Sequence, residues 1–275
     1  MKQSQAKKHD NTMTNKILMR LIALVLGLLF LEILIIHSKN EQQKSVSNQV
    51  QTARIMANGD LLYHDGLYMS ALQADGSYDF TENFTYVKPW LKQADLVLGD
   101  FEGTINPDYP LSGYPLFNAP QSVTAAISDA GYDVMDLAHN HILDSGLEGA
   151  FTTADAFKEV GIDPVGVYEN PVRDKAPLFI KNVNGIKVAI LSYAYGFNGL
   201  ESNLTEKEIA NHLSNLDEKR MKVEIERAEK EADVTVIMPQ MGVEYRLEPT
   251  DEQVKLYHKM IDWGADIIFG GHPHV

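Results

Sequence analysis

Short apolar runs alternate with longer stretches of helical periodicity through most of the chain. The apolar runs are rich in Val, Ile and Leu and stop at polar residues; they cover 53–57, 96–98, 134–138, 234–238 and 267–269. Between them, the periodicity predicts helices over 84–93, 121–130, 147–160, 205–231 and 251–263. Continuous β-branched runs separated by helices are typical of buried, mainly parallel strands. The pattern therefore predicts an α/β fold.

Two segments add detail to this fold. Apolar runs within 177–194 flank Asn184-Gly185, a dipeptide typical of two-residue hairpin turns, so we expect antiparallel strands there. The charged segment 205–231 places Glu218 four residues before Lys222, a spacing that favours a solvent-exposed helix.

The N-terminal region has a different pattern. The stretch Ile17–Ile36 is apolar except for Arg20 and Glu32, and at about 1.5 Å per helical residue it is long enough to cross a hydrocarbon layer of ~30 Å. Four lysines precede it and two follow it closely. This bias places residues 1–16 in the cytoplasm and the C-terminal domain outside the cell membrane. The pattern predicts a single-pass transmembrane anchor.

A cleaved signal peptide is the competing interpretation, since it also has a basic start. The apolar segment is longer than a typical signal core, and residues 37–40 (HSKN) offer no small-x-small cleavage site, so we favour an uncleaved anchor. The polar residues 37–51 lack periodicity, which indicates a linker to a domain formed by residues 52–275.

Composition limits the partners and the ligands. Residues 1–50 hold 7 Lys or Arg and 3 Asp or Glu, which leaves 17 and 35 of the chain's 24 and 38 for residues 51–275. This acidic body argues against nucleic-acid binding, which needs a positive face. The chain has no cysteine, so a metal site would have to use His, Asp, Glu, Asn or Gln.

Polar residues that suit metal ions collect where the predicted strands end. Five of the nine histidines follow predicted strands, together with two aspartates, a glutamate and an asparagine: His64, His139, His141, His272, His274, Asp60, Asp100, Glu102 and Asn140. Ligands of parallel sheets bind outside the carboxyl ends of the strands. Imidazole and carboxylate suit Mn, Fe or Zn, and two such ions about 3.5–4 Å apart clamp both oxygens of a phosphoryl displacement. We therefore predict a metal site at this edge.

These residues lie in an ordered set of blocks that resembles the CapA family of bacterial capsule proteins. The blocks are Asn58–Asp60, Asp100–Gly103, Ala138–Gly146, Gln240–Tyr245 and Gly271–Val275, and the resemblance spans about residues 53–275. That family is linked to poly-γ-glutamate capsule synthesis and is related to calcineurin-like metallophosphoesterases. The resemblance implies a four-layer α/β/β/α sandwich of the metallophosphoesterase type, preceded by one transmembrane helix. Since the family continues past the His-Pro-His block, we expect the domain to be truncated at its C-terminus.

The resemblance implies which residues bind metal. Asp60 resembles the ligand of the first block, and His272 and His274 resemble those of the last. Asn140 resembles a ligand of a second metal. In the fourth block Gln240 stands where the family usually has His, and an amide oxygen suits Mg or Mn but is a poorer ligand than imidazole for zinc or iron.

For several other positions the resemblance and the sequence allow more than one role. Either Asp100 or Glu102 matches the acid that bridges the metals. His141 resembles the histidine that stabilises charge or protonates the leaving oxygen, which makes it the predicted catalytic residue. Asp144 either orients an imidazole or caps the helix that follows. His139 is expected to pack locally rather than bind metal.

Together these features predict a membrane-anchored protein of capsule biosynthesis with a metal-dependent, phosphoesterase-like site outside the cell. We expect two divalent ions, drawn from Mn, Fe, Zn or Mg, and an anionic capsule polymer or its precursor as ligand. Membrane-bound synthase subunits and the lipid bilayer are the expected partners. Alternatively, the domain is a non-catalytic polymer-binding or scaffold subunit of a capsule synthase or export complex. A third interpretation is hydrolysis or transfer at an amide bond of the polymer.

Overall fold

The computed structural model of the chain describes residues 19, 21, 24–39 and 50–275. The chain forms two compact units, Met1–Gln51 and Thr52–Val275. In the first unit, residues 24–39 form helix α1. No helix among the described residues combines the length and the apolar content that a membrane crossing requires. The predicted anchor 17–36 lies partly outside those residues, as does most of the predicted linker; the predicted cytoplasmic tail lies wholly outside them.

The second unit contains two four-stranded sheets. In the first, the order is β1-β2-β3-β4 and all pairs are parallel; its strands are Ile55–Asp60, Leu96–Asp100, Val134–Asp136 and Asp163–Val165. In the second, the order is β5-β6-β7-β8; its strands are Ile180–Val183, Ile186–Ala194, Val234–Gln240 and Ile267–Ile268. β5 and β6 are antiparallel and the other pairs are parallel. The predictions of an α/β fold with mainly parallel strands and of a hairpin at Asn184-Gly185 are confirmed.

Helices connect most of these strands. They are α2 (Asp65–Ala71), α3 (Lys88–Leu91), α4 (Ser122–Ala130), α5 (Gly146–Glu159), α6 (Glu206–His212), α7 (Glu218–Glu231) and α8 (Asp251–Trp263). Local chemistry sets the ends of α8: Thr250 forms a capping box with Gln253, and Gly264 ends the helix in the left-handed conformation. Such signals are readable in the sequence, and α8 has the predicted bounds.

Three hydrophobic clusters hold the second unit together. Leu98 of β2 and Ile190 of β6 belong to a cluster built from both sheets, so the sheets pack face to face. On the other face of the first sheet, a second cluster includes side chains from α4 and α5, such as Ile127 and Phe157. A third cluster joins the second sheet to α7 and α8, for example through Met221. Burial of these apolar faces is the main stabilising contribution to the unit.

The structure differs from the predicted elements where tertiary contacts override local pattern. The single helix predicted over 205–231 is two helices, because the residues between them are extended: Leu213 forms a β-bridge with Val167, and Asn215 forms one with Ala194. The helix predicted over 84–93 is short, and α2 and β4 were not predicted. The charge pairs of α7 also differ from the predicted ones, because Glu218 contacts Lys259 of α8.

Candidate metal centre

Three aspartates lie side by side at the carboxyl end of the first sheet. In β1 the register shifts between Ala57 and Asp60, and this bulge places Asp60 opposite Asp100 of β2. Asp100 in turn is in register with Asp136 of β3. Because neighbouring strands are only about 4.8 Å apart, the bulge brings acids from three strands into one group.

The second sheet adds two histidines from the loop after β8. His272 and His274 have backbone φ angles of 94° and 56°, in the left-handed region that residues with a side chain rarely adopt. Such conformations cost about 1–3 kcal/mol each and collect at functional sites. Here they accompany close contacts with the acids: His274 Nδ1 lies 2.7 Å from Asp60 Oδ2, and its Nε2 lies 3.9 Å from Glu102 Oε2.

Glu102, His272 and His274 form a group that suits a metal ion. Each offers one ligand atom, and these atoms lie within 4.8 Å of one another. Four buried atoms of the centre have no hydrogen-bond partner among the described residues: Asp60 Oδ1, Asp100 Oδ1, Glu102 Oε2 and His272 Nδ1. Burial lowers the pKa of His272, which keeps the imidazole neutral, the form that binds metals. Since buried polar atoms are rarely left unpaired, this donor set fits a divalent cation.

The acids of the centre are buried together. Burial, followed by the charge of Asp60, raises the pKa of Glu102 to about 9, and burial raises the pKa of Asp136 to about 8. Burial and the charges of Asp136 and Asp60 raise the pKa of Asp100 well above its ordinary value. Within residues 50–275, the ion pairs of these acids are with histidines only, not with Lys or Arg. A bound cation would supply the missing positive charge.

His141 contacts the same group from the loop after β3. Its Nδ1 lies 2.7 Å from Asp144 Oδ2, which also accepts a hydrogen bond from the Phe117 backbone N–H at 2.6 Å. The carboxylate favours the tautomer protonated on Nδ1, and Nε2 then lies 4.0 Å from Glu102 Oε1. Of the two predicted roles of Asp144, the structure shows the orienting one, because the N-cap residue of α5 is Ser145.

Three amide side chains connect β7 to His141. The Asn140 backbone N–H donates to Gln240 Oε1 at 2.9 Å, and Gln240 Nε2 donates back to Asn140 Oδ1 at 2.8 Å. Asn140 Nδ2 donates to Asn198 Oδ1 at 3.2 Å, and Asn198 Nδ2 lies 3.4 Å from the ring nitrogens of His141. Asn140 and Gln240, the two residues predicted to bind a second metal, are therefore hydrogen-bonded to each other.

Two of the candidate histidines, His64 and His139, lie outside the group of Glu102, His272 and His274. His64 is the N-cap of α2, where its Nδ1 accepts a hydrogen bond from the Asp65 backbone N–H at 2.8 Å. His139 is fully buried. Burial lowers the pKa of His139 well below its ordinary value, so this imidazole is neutral. The strand-end pattern located both residues along the chain but did not determine where their side chains point.

Sequence reasoning missed Asn198 and Asp136. Asp136 is the last residue of β3, and Asn198 follows the end of β6 by four residues with a φ of 53°. Both residues lie at or just after the end of a strand, so a search for polar residues at every strand end would have found them. The bond from Asn140 to Asn198 has no local signal, because the two residues lie in loops 58 positions apart.

Two proteins named CapA from Bacillus species are similar to this chain in sequence. Over 201 residues the chain is 35% identical to "Capsule biosynthesis protein CapA" of Bacillus anthracis, which covers 70% of this chain and 48% of that protein. It is 28% identical over 272 residues to "PGA biosynthesis protein CapA" of Bacillus subtilis (strain 168), with coverage of 98% and 69%. The chain thus spans about half the length of the first relative and about two thirds of the second.

A crystal structure of a putative 5′-nucleotidase from Staphylococcus aureus in complex with alpha-ketoglutarate has a similar fold. It superposes with a TM-score of 0.51 at 15% identity, over 81% of this chain and 46% of that one. Residues 54–275 match the sequence profile described as "Bacterial capsule synthesis protein PGA_cap". This range includes every residue of the centre and all eight strands. The chain therefore belongs to the bacterial capsule synthesis protein family PGA_cap.

Proposed function

We propose that this protein is a membrane-anchored protein of poly-γ-glutamate-type capsule biosynthesis whose outer domain carries a metal-dependent, phosphoesterase-like site. Family membership and the names of the relatives support the capsule role. The fold shared with a putative 5′-nucleotidase supports the phosphoesterase-like architecture. The observation that carries the chemical part is the convergence of Asp60, Glu102, His272 and His274 with buried, unpaired ligand atoms.

The proposed ligands are the acids and imidazoles of the centre: Asp60, Asp100, Glu102, His272 and His274. A divalent metal bound there would polarise a phosphoryl oxygen and lower the pKa of water, so that hydrolysis proceeds at neutral pH. Its charge would also attract an anionic ligand, which the acidic body of the chain does not do by itself. The proposed ligand is an anionic capsule polymer or its precursor.

His141 is the proposed catalytic residue. Asp144 and Phe117 hold its ring in place, and the tautomer with Nδ1–H on Asp144 directs Nε2 toward Glu102. In the protonated ring, Nε2–H donates to the departing oxygen and Asp144 balances the charge of the imidazolium. General acids of this kind contribute about 10²–10⁴ to the rate.

The test is turnover of bis(p-nitrophenyl) phosphate by the purified full chain in detergent, after loading with Mn²⁺, Fe²⁺ or Zn²⁺. We expect His141→Ala to lower turnover by about 10²–10⁴ with bound metal unchanged, because His141 acts on the leaving oxygen. The matched control is His258→Ala, since His258 is exposed on α8. Equal turnover in both variants, or none in the loaded wild-type chain, contradicts the enzyme proposal.

The second candidate function is a non-catalytic polymer-binding or scaffold subunit. One observation favours it: Gln240 and Asn140 are hydrogen-bonded to each other. These hydrogen bonds occupy the oxygens of two residues that could bind a catalytic metal pair. This alternative requires metal binding without phosphoester turnover, together with binding of capsule polymer that His141→Ala leaves unchanged. Co-purification with membrane-bound synthase subunits is expected under both candidates and does not separate them.

A further inference from the structure

The possible ligand atoms at this centre fall into two sets with opposite properties. The first set consists of acids and imidazoles and includes the unpaired atoms Asp60 Oδ1, Glu102 Oε2 and His272 Nδ1. The second set consists of amides, and the oxygens of Asn140 and Gln240 are both engaged in hydrogen bonds. The first set thus contains unpaired atoms and acids that become negative when they lose a proton, whereas the amides are neutral and already hydrogen-bonded.

One backbone group fixes the orientation of the amides. The Asn140 N–H can only donate, so the Gln240 atom that it contacts at 2.9 Å must be Oε1. Gln240 Nε2 is then the atom that faces Asn140 Oδ1 at 2.8 Å. Asn140 Nδ2 consequently donates to Asn198 Oδ1 at 3.2 Å. The direction of each hydrogen bond is thus determined, because an amide side chain accepts only through its oxygen and donates only through its nitrogen.

A cation placed between Asn140 and Gln240 would have to break this pair. Gln240 Nε2–H points at Asn140 Oδ1, so an ion in the space between the two side chains would face this donor hydrogen. Turning the Gln240 amide to present Oε1 leaves the Asn140 N–H without its partner. The two residues are 2% and 1% exposed, so water does not replace the lost bond, and an unmade buried hydrogen bond is costly.

We propose that the centre binds a single divalent cation, held by the acids and imidazoles Asp60, Asp100, Glu102, His272 and His274, and that the Asn140–Gln240 pair occupies the place of a second cation. The inference rests on the proposed function, since it concerns the same metal centre. It replaces the expectation of two ions drawn from the sequence. The amide pair has a structural role instead: through Asn198 it contacts the ring of His141.

The experiment counts ions in the full chain, purified in detergent, stripped with chelator and dialysed to equilibrium against Mn²⁺. Elemental analysis gives the number of Mn²⁺ per chain, and electron paramagnetic resonance separates isolated Mn²⁺, with resolved hyperfine lines, from exchange-coupled pairs. We expect one Mn²⁺ per chain with the isolated signal. His272→Ala, which removes a ligand, is expected to lose most of the bound ion at the same free concentration.

Two variants of the amide pair sharpen the test. Asn140→Ala is expected to keep one Mn²⁺ per chain with unchanged affinity, because Asn140 is not a ligand of the single ion. Gln240→His replaces the paired amide by an imidazole that has no carbonyl oxygen for the Asn140 N–H, and it is expected to raise the count to two with an exchange-coupled signal. Circular dichroism confirms that each variant is folded.

The outcomes separate this inference from the proposed function. Two coupled Mn²⁺ in the wild-type chain overturn the single-ion inference and leave the metal-dependent function standing. Absence of bound Mn²⁺, Fe²⁺ and Zn²⁺ overturns both. Loss of the ion in folded Asn140→Ala overturns the assigned ligand set, and a count that stays at one in folded Gln240→His overturns the role of the amide pair. If either variant does not fold, the wild-type count and spectrum still decide the number of ions.

Discussion

At the scale of single residues, the centre is a group of acids and imidazoles whose hydrogen bonds are incomplete. His274 contacts Asp60 and His141 contacts Asp144, each at 2.7 Å. Asp100 Oδ1 and Glu102 Oε2 have no hydrogen-bond partner in the part of the chain that the structure describes. Buried acids without partners favour the neutral form. Single substitutions and pH therefore test which acids need a cation and which have a partner within the protein.

Asp144 has its partners within the protein, so its substitution is expected to affect stability. Asp144→Ala removes the acceptor of both the Phe117 N–H and the His141 ring, and we expect it to lower the free energy of unfolding by about 1–3 kcal/mol. Asp144→Asn is expected to cost less, because its oxygen can accept both bonds. Urea titration measures the difference.

The matched control for Asp144 is Asp155→Ala. Asp155 pairs with Lys158 at the surface, where its side chain is 57% exposed, and exposed pairs contribute little, so we expect a change below about 0.5 kcal/mol. Equal losses for Asp144→Ala and Asp155→Ala would show that Asp144 does not hold His141 and Phe117 in place.

The buried acids give the metal-free protein a pH dependence. The pKa is about 9 for Glu102 and about 8 for Asp136 in the folded state, against ordinary values of 4.5 and 3.8. Between pH 7 and 9 the folded state thus binds more protons than the unfolded chain, so the free energy of unfolding falls as pH rises. The slope is up to about 1.4 kcal/mol per pH unit for each retained proton.

The measurement is urea unfolding at pH 7, 8 and 9 with chelator and with excess Mn²⁺. The pH range begins above the ordinary histidine pKa of 6.5. Below that pH, the lowered pKa values of His139 and His272 make the free energy of unfolding rise with pH, which would oppose the effect of the acids. Bound Mn²⁺ is expected to reduce the fall, because it holds its ligand Glu102 in the charged form, whereas Asp136 is not a proposed ligand. A flat profile with chelator would mean that these acids are already ionised in the folded protein.

At the scale of elements, the ends of strands and the loops after them bring the site residues together. The bulge in β1 sets the register of Asp60 against Asp100. The loop after β8 is anchored by a bridge between Gly271 and Gln240, and this bridge holds the loop backbone next to the acids. A Cβ at Gly271 would lie 3.2 Å from Asp100 Oδ2 and 3.4 Å from Asp60 Oδ1.

Gly271 is therefore expected to be required for metal binding. Gly271→Ala would displace the carboxylates, and we expect Mn²⁺ affinity to fall by about 10–100-fold, the range seen when groups around metal ligands are disturbed. The matched control is Gly59→Ala: Gly59 is adjacent to Asp60 in sequence, and no atom of the described residues lies within 4 Å of a Cβ added there. Calorimetric titration with Mn²⁺ measures both. Equal affinities would show that the acids tolerate a side chain at this position.

At the scale of the whole molecule, charge and apolar content divide the chain into two regions. The net charge of the chain is −14, although its first fifty residues are positive. The proposed function places residues 52–275 outside the membrane, because the basic N-terminal segment is expected to stay on the cytoplasmic side. The position of the chain relative to the membrane is part of the proposed function.

Substitution within the apolar segment tests the proposed anchor. The full chain is expected to sediment with membranes and to resist extraction at alkaline pH, and protease added to intact cells is expected to digest residues 52–275. Leu26→Arg combined with Leu29→Arg should release the chain, because each arginine costs about 2.5–3.5 kcal/mol at the centre of a membrane helix. Leu26→Ile with Leu29→Ile is the control. An outer domain protected from protease would contradict the orientation.

The sequence by itself determined the class of elements and the chemistry of their ends. Continuous apolar runs identified parallel strands, and Asn184-Gly185 identified the hairpin. Acids and histidines after the strands predicted the edge at which the candidate centre lies. These features are local, because a buried strand, a turn and a helix cap each require particular residues within a few positions.

Only the tertiary structure decided which of these residues meet. The bulge that pairs Asp60 with Asp100, the left-handed backbone at His272 and the bond between Gln240 and Asn140 depend on strand register and loop path. Contacts between residues 100 positions apart in the chain leave no periodic signal. Such contacts arise from the packing of two sheets against each other, so the sequence supplied the ligand types and the fold selected the partners.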